Sequence, residues 1–138
     1  MRPNFVIDAS IAAAWCFKDE ATDYTEAVLD ALVGSSMAIA PRLFLYEAHN
    51  MILTGLRRQR IDHADAEAFI MLLPKLSISI TDPQIYADVF LLAQRHRLTF
   101  YDAAYLDLAM REGLPISSRD GDLLKAATLE RISFYEPK

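Results

Sequence analysis

The chain has 138 residues, 53% of them hydrophobic, a formal net charge of −5, three histidines and one cysteine. That length and apolar content suit one domain with its own core and exclude a disordered or disulfide-stapled chain. A zinc centre is excluded by the same inventory, because Cys16 stands alone and His49, His63 and His96 are scattered.

Taken in order, the apolar run Phe5-Val6-Ile7 ending in Asp8 predicts a strand over 4–8, followed by helices over 10–17 and 21–33. MAIA predicts a strand over 37–40, after which helical spacing runs over 42–60 and 63–73. SISI gives a strand over 77–80, and Asp82-Pro83 opens a helix over 83–97 with Thr81 or Asp82 as cap. A helix over 101–112, a strand over 115–118 and a helix over 121–130 follow, with ISFYE (132–136) as a candidate fifth strand. Short strands alternating with helices predict an α/β fold: one domain over 1–138, with a mostly parallel sheet of four or five strands flanked by helices. No apolar run approaches the roughly 20 residues of a membrane span, and Asp8 interrupts the opening apolar stretch too early for a secretory signal. A cytoplasmic protein is the expectation.

In open parallel sheets, ligands bind beyond the carboxyl ends of the strands, so the acids there matter most. Asp8 directly follows the first strand, where it or Ser10 can cap the next helix or serve a site. Glu47 lies too far inside its helix to be a cap. On a helical projection it shares a narrow polar stripe with Asn50, Thr54, Arg57 and Arg58, either a solvent-facing strip or the wall of a cleft. Asp102 shares a face with Tyr105, Leu106 and Ala109, where an unpaired carboxylate is costly. Asp107, on the opposite side and four residues before Arg111, reads as half of an exposed helical ion pair. Asp120 precedes the last helix, which it can cap.

Converging carboxylates repel one another unless a cation holds them. An all-oxygen donor set suits Mg²⁺ or Mn²⁺, which keep several waters and are completed by substrate phosphate. Phosphodiester hydrolysis is the corresponding chemistry. Such an ion bridges an acidic protein and an acidic substrate, so net charge does not exclude nucleic acid. Few basic residues are then needed: Arg57, Arg58 and Arg60, or Arg95, His96 and Arg97, which also suit helix C-termini.

With these residues in view, the chain resembles the PIN-domain family, most closely its VapC-type toxins. VIDASI is similar to the family's opening strand, PRLFLYEAHN to its proline-led helix with Glu and Asn, YDAAYLDLA to the tract of its third acid, and SSRDGDLLKAA to its closing Thr-x-Asp segment. The likeness spans essentially the whole chain. It implies that Asp8, Glu47, Asp102 and Asp120 form a Mg²⁺ or Mn²⁺ pocket for endoribonuclease chemistry, with Asp8 and Asp102 as central ligands. Ser10, Asn50 and Ser118 would be supporting polar residues. Ser118 stands where the family often has Thr, and Asp107 where relatives are small or apolar.

The resemblance also implies a VapB-like antitoxin, an RNA substrate and a homodimer. Trp15, Phe17 and Tyr24 are candidate antitoxin contacts or ordinary core. Haloacid-dehalogenase-like phosphatases also carry an aspartate after the first strand, but need a second acid where this chain has Ser10. The remaining alternative is a degenerate PIN or receiver-like module that binds protein without catalysis. Receiver domains want paired early acids and a late lysine, and neither is found here.

Overall fold

The computed structural model describes residues 2–138. Its strands fall within the four stretches expected and are shorter: β1 (Phe5–Ile7), β2 (Ala38–Ala40), β3 (Ile78–Ile80) and β4 (Ile116–Ser117). They form one parallel sheet in the order β3-β2-β1-β4, with Val6 opposite both Ile39 and Ile116, and Ile7 opposite Ser117. FVI and AIA are buried at every position rather than at alternate ones, as expected where helices cover both faces of a parallel sheet.

Among the described residues, seven α-helices connect and cover the strands: α1 (Ala9–Cys16), α2 (Asp23–Val33), α3 (Leu43–Arg57), α4 (His63–Leu72), α5 (Tyr86–His96), α6 (Phe100–Glu112) and α7 (Gly121–Leu129). Single 3₁₀ turns at Lys18–Glu20 and Leu73–Lys75 were not legible as separate elements. After β3 the chain crosses to the other side of β1, so the switch in sheet growth lies between β1 and β4. That places a crevice beyond their carboxyl ends.

Three sequence expectations need correction. Asp82-Pro83 does not open a helix: α5 starts at Tyr86, and the Asp82 carboxylate instead accepts hydrogen bonds from the Arg42 backbone N–H (3.1 Å) and Nε (3.3 Å). Asp82 thereby ties the start of α3 to the segment leaving β3. Run 132–136 is not a full strand. It adds one parallel bridge between Ile116 and Phe134, because β4 itself is only two residues long.

The third correction is Asp107. It retains the ion pair with Arg111 (3.0 Å) but is buried, at 5% exposure. The projection missed this because α6 is enclosed nearly all round, packing on β1, α5 and α7, with every residue from Ala103 to Ala109 buried.

The aromatic residues of the early helices serve packing. Phe17 is buried, Trp15 Nε1 donates to the Thr25 carbonyl (2.8 Å), and the Tyr24 hydroxyl donates to the Tyr135 carbonyl (2.7 Å) and bonds Ser117 Oγ (2.9 Å). The Tyr135 ring stacks on Phe5 with centroids 3.7 Å apart, fastening the C-terminal segment over the sheet. Phe17 also fixes the α1–α3 spacing. A Cβ at Gly55 would stand 2.5 Å from Phe17 Cε1, and the Arg60 guanidinium lies 4.0 Å from the centroid of the same ring. Gly55→Ala is therefore expected to destabilise the protein: overpacking costs about 1–3 kcal/mol against a helix-propensity gain of about 1 kcal/mol. Urea unfolding should show a lower midpoint at an unchanged m-value.

Candidate active site

The backbone of Asp8 stands at the N-cap of α1 (φ −97°, ψ 151°), yet its side chain makes no capping bond. The carboxylate is engaged otherwise. Its Oδ2 accepts hydrogen bonds from Ser10 Oγ (2.8 Å) and Ser118 Oγ (2.6 Å). Ser118 Oγ also accepts the Asp120 N–H (2.9 Å), and Ser10 Oγ accepts the Arg119 N–H (2.8 Å). Ser10, in the first turn of α1, and Ser118, just past β4, thus clamp one buried carboxylate.

The other acids come from three helices. Glu47, half-buried on α3, accepts the Tyr105 hydroxyl at 2.6 Å. Asp102 lies in the first turn of α6, its N–H held by the capping Thr99 Oγ1 (3.1 Å). Asp120 caps α7 through Oδ1, which accepts the Leu123 N–H (3.0 Å).

Electrostatics tie the four together. Burial pushes the Asp8 carboxyl above its ordinary range against the pull of the two serine hydroxyls, and the Asp120 charge adds to the rise. Glu47 is raised by burial, and the charges of Asp8 and Asp102 add to this, while the Tyr105 hydrogen bond opposes it. Asp102 is raised to about 6, first by burial and then by Asp120 and Asp8. Burial also pushes the Tyr105 phenol up, reinforced by its bond to Glu47, so it is held as a donor.

Among the described residues, the basic side chains pair elsewhere or not at all. Arg42 pairs with Asp82, Arg60 with Asp19 and Glu20, Arg95 and His96 with Glu130, Arg111 with Asp107, and Arg119 with Glu20. None pairs with Asp8, Glu47, Asp102 or Asp120.

Asn50 is exposed one turn beyond Glu47, and both line a hollow of about 410 Å³ with Leu43, Tyr46 and Tyr101. A larger hollow of about 750 Å³ lies at the other end of α3, between Cys16, Arg60 and Asp65, away from the four acids. Arg57 and Arg58 are exposed at the end of α3. Ten and eleven residues past Glu47, they sit about 15 Å along the axis and are not brought to the acidic cluster.

Two contributors were missed from sequence. Arg119 reaches back with Nε and Nη2 to the Ser10 carbonyl (2.9 and 2.6 Å) and with Nη2 to Glu20 Oε1 (2.7 Å), locking the β4–α7 loop onto α1. Nothing in the local pattern points to it beyond its place between Ser118 and Asp120. Tyr105 was findable, since it shares a face with Asp102 one turn on.

The donor set consists of carboxylate and hydroxyl oxygens, with uncompensated negative charge. Among the described residues, no group of three or more His, Cys, Asp or Glu side chains is gathered closely enough to form a ready-made cage. Mg²⁺ does not require one: it is bound through one or two carboxylates, with water and substrate completing its shell. The residues therefore fit a hard divalent ion.

A parallel α/β sheet with acids placed beyond the carboxyl ends of its strands, next to the β1/β4 switch point, defines the class. Within that class the assignment is direct: residues 5–129 match the PIN domain, and the chain belongs to that family. Among solved structures, it is similar to PAE2754 from Pyrobaculum aerophilum (26% identity, TM-score 0.71, covering 91% of this chain and 87% of that one). It is also similar in fold to VapC20 from Mycobacterium tuberculosis, described as a sarcin-ricin loop cleaving toxin (16% identity, TM-score 0.64, 89% and 95% covered). A third similar fold is FitAcB from Neisseria gonorrhoeae (16% identity, TM-score 0.64, 96% and 97% covered). No curated protein sequence matches the chain.

The raised carboxyl of Asp102 makes stability pH-dependent in the absence of divalent ions. A folded-state value near 6 against an ordinary 3.8 means the native state holds the proton more tightly. Its stabilising contribution is complete below about 4 and is lost as pH rises through 6. Thermal unfolding in chelator should show a melting temperature that falls across this window. Asp102→Asn should flatten that fall; an equally steep fall in the variant would remove Asp102 as its source.

Proposed function

We propose that the chain is a Mg²⁺- or Mn²⁺-dependent endoribonuclease of the VapC type, the toxin of a toxin–antitoxin pair. The observation carrying this reading is the acidic cluster itself: Asp8 and Asp102 each within electrostatic range of Glu47, of Asp120 and of one another, and none of the four with a basic partner. Membership of the PIN family and the fold shared with VapC20, the sarcin-ricin loop cleaving toxin, support it.

Asp8 and Asp102 are the residues that would hold the ion, with Glu47 and Asp120 bordering it. A bound divalent ion supplies neutralisation of phosphate charge and a water of lowered pKa. The remaining work belongs to the chain's own groups. Ser10 and Ser118 orient Asp8 by donating to its Oδ2 while leaving its charge intact. Tyr105 fixes Glu47 in the same way. Asn50, on the wall beside Glu47, supplies an amide for the bound strand.

Asp8→Asn tests the site. It removes the charge and retains a carbonyl oxygen to accept the two serine bonds, so the fold should persist. RNA cleavage with Mg²⁺ or Mn²⁺ should fall by roughly 100-fold or more. A purified, folded variant with parental activity would remove Asp8 from the site.

The partner assignments follow from the same reading: a VapB-like antitoxin and self-association as a homodimer. The surface offered for the dimer is the exposed apolar set of Ile85, which precedes α5, and Tyr86, Phe90 and Leu91 on it, with Phe100 of α6 stacked against Tyr86 at 6.2 Å. Phe90→Glu should shift the sedimentation mass from dimer to monomer, whereas an unchanged mass would place the interface elsewhere.

A further inference from the structure

α5 and α6 end in the same backbone conformation but with different residues. Gly113 terminates α6 with φ 63° and ψ 39°, and Arg97 terminates α5 with φ 53° and ψ 41°. Glycine adopts the left-handed region without steric cost, whereas any residue with a Cβ does not. At Arg97 the chain keeps a long cationic side chain where the backbone alone favours glycine. Gln59 (φ 57°) and Arg131 (φ 62°) share this conformation, so it is the surroundings of Arg97, rather than its backbone, that mark it.

Arg97 borders a hollow of about 420 Å³ between the end of α5 and one face of α7, also lined by Arg95, His96, Asp122, Lys125, Ala126 and Leu129. The charges there are partly committed. Arg95 Nη1 (2.7 Å) and His96 Nε2 (2.6 Å) both reach Glu130 Oε2. Arg97 and Lys125 are exposed and, among the described residues, form no ion pair. Two unpaired cations therefore face one carboxylate, Asp122, in a chain whose net charge is −5. The hollow stands beside the last helix of the site: Asp122 in its lining belongs to the first turn of α7, the helix that Asp120 caps.

We propose that this hollow seats one backbone phosphate of the RNA strand, neighbouring the phosphate held at the acidic cluster, with Arg97 and Lys125 as its ligands. The inference rests on the nuclease reading above and adds the path of the strand: from the four acids along α7 to the end of α5. A phosphate contact fixes position without reading sequence, so the subsite sets affinity for RNA in general. The cut sequence is decided elsewhere.

The test uses the full chain carrying Asp8→Asn, so that bound RNA survives. A fluorescent mixed-sequence single-stranded RNA is titrated in Mg²⁺ at several salt concentrations. Adding Arg97→Gly and Lys125→Gln should weaken binding about tenfold at low salt and lower the slope of log Kd against log salt by about 0.7, the value of one single-strand phosphate contact. Arg97→Gly alone should melt at or above the parent temperature, because glycine relieves the backbone. A lower melting temperature would make Arg97 a structural cap and overturn the assignment. An unchanged slope would overturn it too, as would unchanged RNA binding combined with lost binding of polyglutamate, which would assign the hollow to an acidic protein partner. Cleavage by the otherwise unaltered chain separates the two readings. If that chain cuts RNA and the charge variants keep the full slope, only the phosphate subsite fails. If it cuts none while the slope falls as expected, the nuclease reading fails and the subsite stands.

Discussion

Four carboxylates that repel one another must be held at one end of a small sheet without being neutralised. A lysine or arginine among them would relieve the repulsion and abolish the negative potential. The chain uses hydroxyls instead. Ser10, Ser118 and Tyr105 donate hydrogen bonds to Asp8 and Glu47, and Thr99 fixes the backbone of Asp102. A hydroxyl stabilises an anion and fixes its direction without adding compensating charge. The raised carboxyls of Asp8, Glu47 and Asp102 mark how incomplete that stabilisation is. Repulsion persists in the folded state, and packing around β1 and α6 must offset it.

The fold meets this demand through topology. β1 is central, and the crossing after β3 returns β4 to its free side, so Asp8 and Ser118 emerge side by side. α6, enclosed on nearly every side, carries Asp102 and Tyr105 one turn apart and brings Tyr105 to Glu47 on α3. Arg119 bonds the Ser10 carbonyl and Glu20 at once, which prevents the loop bearing Asp120 from swinging away from α1. Each acid is anchored by a different element, and cross-links between those elements keep the anchors in register.

Much of this was legible in the sequence because burial and direction leave simple marks. Continuous apolar runs located β1 and β2, short isoleucine-bearing stretches between helical segments located β3 and β4, and acids directly after strands or deep inside an apolar helix identified Asp8 and Glu47. The failures share one physical origin, contacts made at long range. Asp107 was placed on the surface from a one-helix projection that could not register how completely neighbours enclose α6. Asp82 looked like a cap because Pro83 follows it, but Arg42, forty residues earlier, claims its carboxylate. Arg119 lacks any periodic signature, since its partners are a carbonyl and a carboxylate about a hundred residues away. Ser10 and Ser118 were recognised as companions of the acids, while their convergence on a single oxygen of Asp8 became visible only in three dimensions.

The two margins of the sheet have a consequence for how this molecule meets other proteins. One margin, β3, has three residues, and the other is occupied by the Phe134 bridge, with the Tyr135 ring fastened over Phe5. Neither leaves a run of open backbone groups long enough to template an added strand from another chain. Association by strand addition is thereby disfavoured, and recognition of a protein ligand falls to helical side chains, where single substitutions can retune affinity without disturbing the parallel ladder beneath.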